Sequence, residues 1–114
     1  MEIASVVWVS ALIRRVELAG AFATVARRGD AAAGAILVKT FDRRAGAARL
    51  YALATRREGE PVWMQPVDSH AEGDIDAYIE RAVRIDPDVW VVEVEASDGA
   101  RFLTEPVERG PPQG

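Results

Sequence analysis

Residues 6–28, VVWVSALIRRVELAGAFATVARR, change rhythm at Gly20, and that change decides the fold. Before it, Ser10, Arg14 and Glu17 recur at i, i+4 and i+7, while Trp8, Leu12, Val16 and Ala19 fall on the other side. That is the 3.6-residue period of an amphipathic helix with Trp8 turned to the core. Ser5 stands where an N-cap is expected, and Gly20 where a helix can stop in the left-handed conformation. After Gly20 the helical period is gone, and residues 22–28 form a short run rich in β-formers.

Three more such runs follow, at 35–41, 48–54 and 62–67, separated by turn residues at 29–34, 43–46 and 58–61. Short connections favour antiparallel hairpins, because a parallel pair needs a long crossover, so the four runs read as a meander. Helical rhythm returns once, over residues 74–85, with Ile75, Tyr78, Ile79, Ala82 and Val83 on one face. Ser69 and Glu72 have capping-box spacing before it, and Pro87 stops it. Residues 89–96 alternate Trp90, Val92 and Val94 against Val91, Glu93 and Glu95, and residues 100–104 follow a turn as a last strand led by Phe102.

These elements predict an α+β fold in the order α-β-β-β-β-α-β-β. Two layers are expected: an antiparallel sheet of five to six strands with both helices packed on one face. The other face would be wetter and carry Lys39, Arg49, Glu93 and Glu95. At 114 residues the length suits one domain, placed at residues 1–104. Residues 105–114, with three prolines and two glycines, are expected to form a disordered C-terminal tail.

With no cysteine, the chain has no disulfide and no thiolate chemistry, which fits a reducing compartment, and a cytoplasmic location is expected. The apolar run at residues 3–13 is too short to span a bilayer and has its charges in the wrong order for a signal peptide, so no membrane partner is expected. Charge divides unevenly: residues 1–57 are net +6 and residues 58–114 net −10. Opposed halves suit attraction within one fold or across a dimer more than nucleic acid, which asks for one basic surface.

A helix containing Trp8 and ending in Arg14-Arg15, then Arg28-Gly29-Asp30 with Gly34, and above all Asp86-Pro87-Asp88 followed by Trp90-Val91-Val92-Glu93, carry a likeness. Over roughly residues 6–104 the chain resembles the small bacterial family catalogued as domain of unknown function 1491. The resemblance implies a bacterial cytoplasmic protein of this size and fold. It implies no activity and assigns no residue a role.

Chemistry has few footholds. Gly29 and Gly34 have phosphate-loop spacing, but Ala35-Ile36 stands where lysine and a hydroxyl residue belong, so a turn is expected there. His70 is the only histidine, and one imidazole next to Ser69 makes neither a triad nor a histidine metal site. Asp86, Asp88, Glu93 and Glu95 are a candidate ligand set for Mg²⁺ or Mn²⁺, set against a plain solvated strand face paired with arginines. Arg27, Arg43 and Arg56, each one of an adjacent arginine pair, are candidates for a phosphate patch if their turns gather. Core packing is enough to explain Trp8, Trp63 and Trp90; an exposed tryptophan would instead mark a partner site, and Trp63, in the last meander strand, is the first candidate of the three for that role.

The expected function is a non-catalytic protein-interaction or self-associating module, a possible homodimer, with no cofactor. A metal-assisted hydrolase or nuclease built on the acidic cluster, and phosphate or nucleic-acid binding by the arginines, stand behind it as alternatives.

Overall fold

The computed structural model describes residues 3–108 and has the α+β fold that the sequence predicts. Helix α1 spans Ser5–Leu18 and helix α2 Glu72–Ile85; the strands are β1 (Phe22–Arg27), β2 (Ile36–Asp42), β3 (Ala47–Thr55), β4 (Pro61–Met64) and β5 (Trp90–Glu95). The five strands lie in one sheet in the order β1-β5-β2-β3-β4.

Hairpins β2–β3 and β3–β4 are antiparallel, as their short turns require. β1 does not join that meander. It pairs antiparallel with β5, which is inserted between β1 and β2 and runs parallel to β2, with Ile36 opposite Trp90 and Val38 opposite Val92. The sheet is therefore mixed rather than wholly antiparallel. The segment from Arg28 to Ala35 is long enough to carry the chain past an intervening strand, and α2 supplies the crossover that a parallel β2–β5 pair needs.

The helices lie on opposite faces of the sheet, which corrects the two-layer expectation. Val9, Leu12 and Val16 of α1 pack with Ile36, Val38, Tyr51, Trp90, Val92 and Val94 in one cluster. Ile75 of α2 packs with Leu37, Ala48 and Leu50 in another, joined by Tyr78, Ile79, Ala82 and Val83. Since successive strand side chains point to opposite faces, Ile36 and Val38 lie under α1 and Leu37 under α2. Each fully buried aliphatic side chain contributes about 2 kcal/mol relative to exposure, so both faces of β2 hold the fold together.

Local signals were met in part. Gly20 has φ +80°, as a helix stop there requires. Ser5 is not the N-cap: the helix begins on it, its backbone N–H donates to the carbonyl of Ala32, and its hydroxyl donates to the Gly34 carbonyl at 2.6 Å. Ser69 donates to the Asp74 carboxylate instead of closing a capping box on Glu72. Residues 100–104 are not a strand: Gly99–Phe102 is a short 3₁₀ turn that buries Phe102 under α1. The expected tail begins with ordered backbone, because residues 105–108 lie along β4; residues 109–114 fall outside the described residues.

Candidate functional site

Lys39 is where the central strand meets α2. It lies on the α2 side of the sheet, 5% exposed, and its ammonium donates to Glu72 Oε2 at 2.7 Å and Asp76 Oδ1 at 2.8 Å, one turn apart on the helix. Burial alone would lower its pKa, but the bonds to Asp76 and Glu72 and their charges outweigh that and raise it above the ordinary 10.5. Bonded to two carboxylates of α2, the ammonium acts as a clamp between the helix and β2. Glu93 shares this face by register with Lys39, whereas Arg49 pairs with Thr40 and points to the other side. The single wet face expected to carry all four residues does not exist.

The four carboxylates of the candidate metal site are strung along one line. Asp86 and Asp88 precede β5, with Asp86 Oδ1 accepting from the backbone N–H of Asp88 at 3.0 Å, and Glu95 ends the strand. At about 3.3 Å per residue, Asp88 and Glu95 stand some 20 Å apart, too far to share an ion. Among the described residues no group of three His, Asp or Glu side chains could hold a metal ion.

The three arginines are equally dispersed. Arg27 closes β1 and donates to the Pro87 carbonyl at 2.9 Å. Arg43 lies in the β2–β3 turn at the opposite end of the sheet, 2.6 Å from Glu95 and 80% exposed. Arg56 follows β3, beside β4, with Glu108 against it. Arg27 ends β1 and Arg56 follows β3, with β5 and β2 between those strands, so the two are far apart even though they share an end of the sheet. His70 lies 2.7 Å from an Arg49 nitrogen, and its backbone carbonyl receives the N–H of Ala48.

Trp63 is buried, at 3%, as core packing of the tryptophans requires, and it does not offer an exposed partner site. It packs in the core cluster under α1, and the segment 105–108 binds the outer edge of β4 in parallel: Trp63 N–H donates to the Pro106 carbonyl and Glu108 N–H to the Trp63 carbonyl, both at 2.8 Å. Its indole Nε1 donates to Glu105 Oε1 at 2.7 Å. Nothing in the composition of residues 105–108 announces this role; only their pairing with β4 does.

The opposite edge differs. No described strand lies beyond β1, and Phe22 is 72% exposed and Val25 38%. An open edge presents backbone donors and acceptors ready for another strand. A bulge between Val25 and Arg27 breaks the ladder, leaving residues 22–25 as the regular part of the edge. No helix of the described residues is long and apolar enough to cross a membrane.

Comparison with known proteins agrees on the fold. A crystal structure of a DUF1491 family protein from Caulobacter crescentus CB15 is 66% identical over 94% of this chain and 100% of its own, with a TM-score of 0.89. An NMR structure of a DUF1491 family protein from the same organism is 67% identical over 95% and 98%, with a TM-score of 0.86. The solution structure of protein Atu0922 from A. tumefaciens is 36% identical over the whole of both chains, with a TM-score of 0.80. No curated protein matches the sequence. The model of the family described as "Protein of unknown function (DUF1491)" matches residues 3–104, both helices and all five strands, and the chain belongs to that family.

Proposed function

We propose that the chain is a non-catalytic protein-interaction module that associates with a second copy of itself through the edge of β1. The open edge carries this reading: it keeps Phe22 and Val25 in water while the other edge of the same sheet is covered. Two copies related by a two-fold axis would set their β1 strands antiparallel, each Phe22 facing Val25 of the partner subunit, and continue the sheet across ten strands. The bulge limits the paired stretch to residues 22–25, so the dimer is weak and concentration-dependent. A cytoplasmic location accompanies this reading. The dispersal of Asp86, Asp88, Glu93 and Glu95, and of Arg27, Arg43 and Arg56, gives the metal and nucleic-acid alternatives no comparable support.

Light scattering across a concentration series tests the proposal. The expected result is a mass rising from monomer toward dimer in the wild type and staying monomeric in Phe22→Lys. A wild type that remains monomeric at millimolar concentration would leave the proposal without support.

A further inference from the structure

Segment 105–108 occupies β4 as a bound peptide would. It does not follow β4 through a tight turn; it arrives from Leu103, buried under α1, and lies parallel to the strand. Two backbone hydrogen bonds hold it, and the remaining contacts read its side chains. The indole N–H of Trp63 takes the carboxylate of Glu105. Arg56 takes that of Glu108, through Nε at 2.9 Å and a second guanidinium nitrogen on the same oxygen. Gln65 Nε2 donates to the Glu108 carbonyl at 3.2 Å. Pro106 has no N–H to leave unpaired, and its carbonyl receives Trp63. Val107 stays partly exposed.

We infer that the outer edge of β4 is a peptide-docking groove for an extended acidic segment of the form Glu-Pro-x-Glu, filled in cis by residues 105–108 and open in trans to a partner carrying the same pattern. β-strand addition supplies the backbone contacts, and the two carboxylates, three residues apart, supply the selectivity. The cis segment has the advantage of its tether, which raises its local concentration to about the millimolar range, so a free peptide competes only when the cis segment is weakened. The exposed residue between proline and the second glutamate is read least. This groove lies on the sheet edge opposite β1 and does not depend on self-association; a chain that never dimerises could still have it.

The test uses the full chain. A fluorescein-labelled peptide Thr-Glu-Pro-Val-Glu-Arg, the sequence of residues 104–109, is titrated by anisotropy into the wild type and into a Glu105→Lys, Glu108→Lys chain whose own segment is repelled by Arg56. The opened chain should bind the peptide about tenfold tighter than wild type, and adding Arg56→Ala to it should remove that gain. A peptide with both glutamates changed to glutamine should bind about tenfold more weakly than the acidic one. If the lysine pair unfolds the chain by circular dichroism, the milder Glu105→Gln, Glu108→Gln chain takes its place with the same expectations. A folded, opened chain that binds the acidic peptide no better than wild type does, or no better than the glutamine peptide, overturns the proposal.

Discussion

Lys39 and Asp76 meet at 2.8 Å, and that contact, with Glu72 beside it, fixes α2 on the centre of the sheet. The lysine is buried while both carboxylates are about half exposed, so loss of the cation leaves two groups that water can still solvate.

Lys39→Met, which keeps most of the volume, should therefore cost only about 1 kcal/mol, whereas Lys39→Ala, which also opens a cavity, should cost about 3 kcal/mol. Urea unfolding midpoints measure both. The pH dependence has a definite sign. Because the folded-state pKa lies above 10.5, the contribution of the charged lysine is complete below 10.5 and is lost as pH rises through the folded value. The gap between wild type and Lys39→Met should be constant from about pH 8 to pH 10 and close above that. A gap that widens above pH 10 would contradict the clamp.

Gly29 and Gly73 should respond to alanine in opposite directions. A Cβ at Gly29 would stand 2.2 Å from the Asp88 carbonyl and 2.7 Å from the Trp90 ring, so Gly29→Ala must push the 28–35 segment off β5. A loss of about 2–4 kcal/mol is expected. Gly73, in the first turn of α2, has open space around its Cβ position, and Gly73→Ala should gain about 0.5 kcal/mol. Thermal or urea unfolding of the two variants side by side checks both signs.

Phe22→Lys should leave stability within about 0.5 kcal/mol of wild type, because the ring is already in water, while removing any concentration dependence of mass. A large loss of stability would mean that Phe22 belongs to the fold and not to an interface.

Millimolar Mg²⁺ or Mn²⁺ should leave the melting temperature unchanged, since a ligand that binds the native state stabilises it by about 2.7 kcal/mol at a hundred times its Kd. A shift in Tm that Glu93→Gln or Asp88→Asn removes would revive the acidic cluster as a metal site.

Much of this architecture is legible in the sequence, for reasons visible in single residues. Ser10, Arg14 and Glu17 mark the wet side of α1 because a surface helix repeats every 3.6 residues, and the short turns around Gly46 and Gly59 force the two hairpins. What stayed hidden was which strand fills the gap beside β2. Local spacing records neighbours along the chain, whereas the β1–β5 and β2–β5 pairs are made between residues far apart in sequence. A signal for the second helix layer was present: Ile36, Leu37 and Val38 are consecutive and all buried, as are Val89 to Val92, and an unbroken apolar run marks a strand covered on both faces. The chemical candidates failed for a related reason. Residues that cluster in sequence along a strand, such as Asp86 to Glu95, are spread out in space by its extension, while Lys39 met Glu72 and Asp76 only through the crossover.

The insertion of β5 also sets an order of events at the ribosome. β1 is made early, yet its only strand partner among the described residues is finished at Glu95. Until Glu95 is made, Phe22–Arg27 has no ladder to join. Closure of the sheet must wait until Glu95 has left the exit tunnel, well after Phe22–Arg27 has emerged.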